Sequence, residues 1–337
     1  MKKALITGIT GQDGSYLARL LLDKGYQVYG TYRRLSSPNF WRLQYLDIFK
    51  KVSLVPVDLT DSSSLYEAIE RSQPDEIYHL AAQSFSGVSF EQPVGYGEVN
   101  GLGVTKLLEA IRGINLKTRL YQASTIELFG AGENRPLTES TAFKPANPYA
   151  VAKLYAYWIA TVYRDGYGMH ICNGIMFNHE SPLRGLEFVT RKITNAVARI
   201  KLGLDNELKL GNLDSKRDWG FAPDYVKSMW LMLQQDKPED FIIATNDTHT
   251  IREFAERAFT VADLDWYKYV KVDKHLQRES DINFLQGDYS KAREKFGWEP
   301  ATRFGDLVEI MVKEDISRWE RWRKGEIFAW DALNYSG

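Results

Sequence analysis

KALITGITGQDGSYLARLLLDKG, residues 3–25, passes from an apolar run through three glycines into a segment whose apolar residues recur at helical spacing. Lys3–Thr7 predicts a short buried strand, residues 8–14 a glycine turn, and residues 15–24 a helix closed at Gly25. Glycines let the backbone approach a pyrophosphate, whose charge is stabilised by the free N–H groups and positive end of the following helix. The spacing Gly8/Gly11/Gly14 differs from the G-x-G-x-x-G fingerprint, and three glycines alone would fit any turn. The strand before and the helix after are what favour a phosphate site.

Working outward, a second strand at residues 27–31 leads to Arg33-Arg34, with no acidic residue in that place. An Asp or Glu there would bond a ribose 2′-hydroxyl and repel a 2′-phosphate, whereas a guanidinium can clamp the phosphate with two hydrogen bonds. NADP is therefore expected over NAD; a solvated basic pair is the plainer alternative. Further units follow: a strand at 52–57 with Asp58-Leu59 and helix Ser62–Ser72, a strand at 76–80 running into Ala81-Ala82-Gln83-Ser84, a helix at 99–112, and a strand at 119–123. Helix Pro148–Tyr167 and a strand at 169–176 complete the series. This alternation predicts an α/β, Rossmann-type doubly wound parallel sheet, with ligands at the carboxyl ends of its strands.

Residues 122–153, QASTIELFGAGENRPLTESTAFKPANPYAVAK, carry the chemistry. Ser124-Thr125 and Glu127 stand at a strand end, and Tyr149 and Lys153 lie four apart behind Asn147-Pro148, a helix start with Asn as cap and Pro in the first turn. Residues four apart share a helix face. A hydroxyl, a carboxylate and a Tyr–Lys pair suffice to move a proton and a hydride. Tyr267 and Lys271 repeat the spacing without the hydroxyl and carboxylate, so the ordered set matters more than the spacing.

Composition excludes several classes. The 43 basic and 44 acidic residues leave a net charge of −1, no footprint for nucleic acid or an anionic membrane. The single cysteine, Cys172, lies in an apolar run, which rules out a disulfide framework and a thiolate metal site and suits a reducing cytoplasm. No apolar run approaches membrane-spanning length, and the five histidines are dispersed without metal-ligand spacing, so no metal is expected. A signal peptide is not expected, because the apolar residues 4–6 are cut off by Thr7-Gly8.

After Phe177 the texture changes to a polar stretch, a helix at 188–202, a polar loop at 211–220, a returning strand near 240–244 and a mostly helical remainder whose tryptophans read as core. Residues 1–177 are thus expected to form a dinucleotide-binding domain and 178–337 a smaller, mainly helical substrate domain, interleaved through that strand. Arg191, Lys192, Arg217 and Arg278, in a chain without net positive charge, suit a phosphorylated substrate. His179 reads as a satisfied loop histidine near the cofactor.

With these residues in place, the chain resembles the extended short-chain dehydrogenase/reductases and, within them, the GDP-mannose 4,6-dehydratase family over nearly its whole length. The matching motifs are TGITGQDGSYLA, DLTDSS, LAAQS, YQAST with Glu127, NPYAVAKLYAYWI, CNGI, FNHESP, FVTRKIT, GNLDSKRDWG and LQQDKPEDFIIAT. The resemblance implies NADP bound by Gly8, Thr10, Gly11, Gln12, Asp13, Gly14, Asp58, Leu59, Leu80, Ala81, Ala82, Gln83, Ser84, Lys153, His179 and Arg184. It implies Thr125, Glu127, Tyr149 and Lys153 as the catalytic set, and a GDP-sugar held around Asn178, residues 190–192, Arg217 and Arg278.

Some positions depart from the family pattern. Ile126 stands where the family reads S-T-S-E, removing a hydroxyl beside the carboxylate and leaving the orientation of Glu127 open. If strand alternation continues there, Thr125 and Glu127 share one side and Ile126 takes the other. Phe85 replaces a frequent His, Gly95-Tyr96 shifts a tyrosine by one place, and Arg278-Glu279 replaces Arg-Pro.

The expected reaction converts GDP-D-mannose to GDP-4-keto-6-deoxy-D-mannose. In it Tyr149, its pKa lowered by Lys153 and the nicotinamide, takes the C4 hydroxyl proton, and Glu127 with Thr125 expels the C6 hydroxyl. A dehydratase of another GDP-manno sugar such as a heptose, a 4-keto-6-deoxyhexose reductase or epimerase, and an idle NADP-binding regulator are the alternatives; Glu127 argues against the reductase. The basic segment 33–42, RRLSSPNFWR, exceeds a simple βα turn. By the resemblance it reaches a neighbouring subunit's cofactor, in a homotetramer or homodimer.

Overall fold

The computed structural model describes residues 1–37, 39–130, 135–276 and 285–331. Seven strands pair in parallel: β1 (Lys3–Thr7), β2 (Gln27–Tyr32), β3 (Ser53–Pro56), β4 (Glu76–His79), β5 (Arg119–Thr125), β6 (Ile171–Met176) and, beyond β6, the strand Phe241–Ile243. Their spatial order is β3, β2, β1, β4, β5, β6, Phe241–Ile243. The order reverses between β1 and β4, the crevice where open α/β sheets bind ligands. Thr7 pairs with Thr31 on one side and His79 on the other, so these strand ends lie level at one edge.

The central strands are buried along almost their whole length because helices cover both faces. On one face Leu17 and Leu21 of helix Gln12–Asp23 pack with Met229 and Met232 of helix Ala222–Gln234. On the other, Leu65, Leu107, Ile111, Ala156 and Ala160 come from helices Ser62–Ser72, Gly103–Ile114 and Pro148–Tyr167. A third apolar cluster joins helices Val189–Lys201, Ile251–Val261 and Phe304–Arg323 through Ile193, Val197, Phe254, Phe259, Leu307 and Met311. Residues 222–243 thus return to the sheet between two stretches that build this third cluster.

Three expectations change. The segment 211–220 is more than a polar loop: Lys216–Arg217 pairs with His249–Thr250, and Trp219–Phe221 pairs with Asn178–Glu180. The helix expected at 99–112 begins as a π-helical turn, Gly97–Leu102. Of the later tryptophans, Trp298, Trp319 and Trp330 are buried, but Trp322 is 39% exposed.

Candidate active site

The glycine turn is built by close approach. Gly8 has φ +72°, and a Cβ on it would lie 2.9 Å from Ala81 backbone atoms; a Cβ on Gly14 would lie 2.4 Å from the Gly8 carbonyl oxygen. Only glycine lets β1, the turn and the segment after β4 meet this closely. Gly11 caps helix Gln12–Asp23 with no side-chain hydrogen bond to the first turn, so the cap residue leaves the first-turn N–H groups to a ligand, as a pyrophosphate needs. Thr7 Oγ1 accepts from the N–H groups of Leu80 and Ala81, and its proton therefore goes to His79 Nδ1 at 2.7 Å. Burial, with a smaller push from the Lys153 charge, lowers His79 to about 3, so it is a neutral brace beside the site. Nothing in the sequence had marked it.

Gln12 and Asp13 turn inward. Gln12 donates to the His179 carbonyl and accepts from Ser181 Oγ at 2.7 Å. Asp13 Oδ2 lies 2.8 Å from His179 Nε2, while His179 Nδ1 meets the Phe177 carbonyl and the ring stacks on Tyr225. Burial alone would raise Asp13 and lower His179; their mutual charge and hydrogen bond reverse both shifts. Both His179 nitrogens are thus engaged within the protein.

Arg33 and Arg34 are exposed after β2, and the Arg33 charge reaches Asp58, whose carboxylate accepts from Thr60 N and Oγ1. Leu59 packs where a Cβ on Gly103 would come within 3.1 Å of its own. Ala82 and Ser84 lie on the same loop after β4 as Gln83, which is clamped both ways by Asn100, N–H to Oδ1 at 2.8 Å and Nδ2 to carbonyl at 2.9 Å. The later part of segment 33–42 folds back on its own chain: Trp41 is buried, and Arg42 donates to the Leu183 and Thr10 carbonyls. Its earlier residues, 33–37, are exposed.

At the end of β5 the alternation does not continue. Thr125 is the last strand residue; Ile126–Phe129 is a 3-10 turn that Thr125 caps by accepting from Glu127 N at 3.3 Å. Ile126 enters the core, and Glu127 is oriented from elsewhere, by Asn147 Nδ2 donating to Oε2 at 2.7 Å. Asn147 also caps helix Pro148–Tyr167, accepting from Ala150 N, so this one residue serves two roles of which only the cap was expected. Tyr149 is buried edge-on against Tyr96. Burial first, then the Glu127 charge, pushes its phenol up, against the Thr125 hydrogen bond and the Arg184 charge. The expected lowering by Lys153 is thus not supplied by the protein's own groups. Lys153 itself is pulled down to about 8 by burial and donates to the Ala123 carbonyl at 3.1 Å. Ser124 Oγ, at the same strand end, has no hydrogen-bond partner among the described residues.

On the far side, Asn178 lies on the strand Asn178–Glu180, and Arg184 pairs with Glu180 at 3.1 Å while lying over the Phe188 ring. Lys192 is half-buried, its ammonium lowered by burial against the pull of Asp273. Arg217 sits on the edge of the short sheet with His249. Beside it Asp218 is buried, raised to about 6 by burial although Thr245, Asn246 and Gly287 donate to it, so it braces these loops. Arg191 does not serve a ligand: it is fully buried against Asp315 at 2.8 Å, because it holds the fold together there. Arg278 lies outside the described residues. Among those residues no His, Cys, Asp or Glu group could hold a metal ion, and no helix is long and apolar enough to cross a membrane.

Comparison with known proteins agrees with this geometry. The family described as GDP-mannose 4,6 dehydratase matches residues 5–311. The GDP-mannose 4,6-dehydratase of Yersinia enterocolitica is 49% identical over 94% of this chain and 95% of its own. GDP-mannose 4,6 dehydratase 1 of Arabidopsis thaliana is 47% identical over 95% and 91%. Among solved structures, a dTDP-glucose 4,6-dehydratase from Bacillus anthracis in complex with NAD shares the fold at TM-score 0.83 and 21% identity, covering 97% of this chain and 100% of that one.

Proposed function

The chain belongs to the GDP-mannose 4,6-dehydratase family, and from this we propose that it converts GDP-D-mannose to GDP-4-keto-6-deoxy-D-mannose with NADP as its resident cofactor. One observation carries the reading: the Glu127 carboxylate, just past the end of β5, is held at 2.7 Å by Asn147, the cap of the helix that carries Tyr149 and Lys153, so a carboxylate base is tied to the Tyr–Lys pair. A reductase or epimerase needs only the tyrosine.

The glycine turn would hold the pyrophosphate on outward N–H groups, and Arg33-Arg34 the 2′-phosphate. When bound, the nicotinamide would supply the hydride chemistry, taking hydride from C4 and giving it back at C6 once reduced, and its oxidised form would add positive charge near Tyr149. Tyr149 takes the C4 hydroxyl proton, with Lys153 holding charge beside it. The resulting ketone acidifies C5–H. Glu127 takes that proton, its electron pair forms the C5–C6 double bond, and the C6–O bond breaks. The C6 hydroxyl departs as water with that proton, delivered through Glu127 and Thr125; hydride return to C6 then leaves an enolate that takes a proton at C5, balancing the one Tyr149 received from the C4 hydroxyl and restoring the starting protonation state.

The GDP-sugar is assigned to the region around Asn178, Lys192, Arg217 and Arg278, so that residues 178–337 act as a substrate domain interleaved with the dinucleotide domain. A homo-oligomer is part of the proposal. Val94, Val151, Tyr155, Trp158 and Val162 on helices Pro93–Tyr96 and Pro148–Tyr167, with Phe90 on the turn before the first, are exposed apolar side chains, a surface that a monomer would leave wet. The sole, buried Cys172 suits a cytoplasmic setting.

GDP-mannose deuterated at C4 tests the reaction. The product should carry that deuterium at C6 of the same molecule, and Glu127→Gln should oxidise C4 and then stall with reduced cofactor. Label found only in released cofactor, or full-rate 6-deoxy product from Glu127→Gln, would overturn the dehydratase reading.

A further inference from the structure

Glu127 stands on a 3-10 turn whose other side chains do nothing for it: Ile126, Leu128 and Phe129 are all buried in the apolar core. Its carboxylate is reached from the next helix, by Asn147 Nδ2 at 2.7 Å. The Asn147 amide cannot turn over. Its Oδ1 accepts from Ala150 N at 2.8 Å, and reversing the amide would set donor against donor there and acceptor against carboxylate at Glu127. The helix cap therefore aims Nδ2 at Glu127. Tyr149 and Lys153 ride on the first two turns of that same helix.

We propose that Asn147 is a positioning residue for the elimination step, tying the Glu127 carboxylate to the helix that carries Tyr149 and Lys153. The inference rests on the dehydratase reading above. With one oxygen of Glu127 held by Asn147, the other is left to meet C5–H, and the two proton-transfer sites keep a constant separation. The cap thus supplies the orientation that Ile126 cannot. Lys153 lies on the same helix, and the other ionisable groups around the carboxylate are Tyr149 and Tyr96, both of which feel its charge; Tyr149 also feels the Arg184 charge.

Asn147→Asp is the discriminating variant. A carboxylate still accepts from Ala150 N, so the cap survives, but two carboxylates now face each other. In single turnovers with C4-deuterated GDP-mannose, reduced cofactor should form within a few-fold of the wild-type rate. Elimination should slow by roughly 10- to 100-fold, and the pH at which it reaches half its maximum should rise by about one unit. A residue that only stabilised the helix would move neither. Asn147→Ser, which also keeps a cap but shortens the arm, should slow elimination without the pH shift. It serves as the test should the Asp variant fail to fold.

Glu127→Gln, run in parallel, separates the two ideas. If it stalls after oxidation while Asn147→Asp, or Asn147→Ser in its place, eliminates at wild-type rate, the positioning role is wrong. If Glu127→Gln itself eliminates at full rate, the dehydratase reading falls first.

Discussion

Replacing Asp315 by alanine should be the most damaging single change outside the catalytic set. Asp315 and Arg191 are fully buried, and the carboxylate receives Arg191 Nε at 3.0 and 2.9 Å, Arg191 Nη2 at 2.8 Å and Thr194 Oγ1 at 2.7 Å. Without it, the Arg191 guanidinium keeps, among the described residues, the Pro182 and Arg184 carbonyls and the longer contact to Asp331 at 3.6 Å. Removing one partner of such a pair costs about 3–5 kcal/mol, because the remaining buried charge loses its close partner, and the 3.6 Å contact to Asp331 replaces little of it. That is a large share of a total stability of about 5–15 kcal/mol.

The consequence reaches the cofactor site. Arg191 and Arg318 both donate to the Pro182 carbonyl, at 2.9 and 2.6 Å, and neighbouring Ser181 grips Gln12 of the glycine turn. In urea unfolding followed by tryptophan fluorescence, with a slope of about 3 kcal/mol/M, the midpoint should fall by about 1–2 M. Calorimetric titration should show weaker NADP binding. The pair Arg191→Met with Asp315→Leu should recover most of the lost stability, since apolar replacement of both charges removes the unpaired ion. A midpoint shift below about 0.3 M, or a double variant no better than the single one, would refute the reasoning.

Three further outcomes are expected. Arg34→Ala should lose about 10- to 100-fold in NADP affinity while NAD affinity stays unchanged, the effect of one charge-assisted contact; equal losses for both dinucleotides in calorimetry would remove Arg34 from the 2′-phosphate. The Asp13–His179 pair should shape stability against pH. The raised His179 contributes fully below the ordinary imidazole value of 6.5 and fades as pH climbs through its folded value, and the lowered Asp13 contributes above 3.8 and fades as pH falls through its own. Asp13→Asn should therefore flatten the alkaline decline in thermal midpoint, and an unchanged pH profile would count against the pair. If the chain assembles as proposed, light scattering should give an oligomer for the wild type and a folded monomer for Trp158→Glu with Val162→Glu, and an unaltered mass would take the apolar face out of the assembly.

Local reasoning reached what local physics decides. An apolar run, glycines and a helical repeat in residues 3–23 specified a strand, a turn and a helix, since backbone sterics and periodicity act within a few residues. Asn147-Pro148 started the long helix where expected and placed Tyr149 and Lys153 on one face for the same reason. The alternation expected after Thr125 failed because capping the 3-10 turn and burying Ile126 outweighed strand periodicity. Side-chain use was decided only by the tertiary structure. Arg191 looked like a phosphate ligand until Asp315, 124 residues away, was seen to claim it. His179 needed Asp13 from 166 residues earlier before its protonation could be argued. Tyr149 was expected to be acidified by Lys153 and the nicotinamide together, and within the protein alone burial and Glu127 push its phenol the other way. Motif and period fix where a charge sits along the chain. Its partner, its solvent and its proton depend on which distant segments the fold folds against it, and no spacing within the motif carries that information.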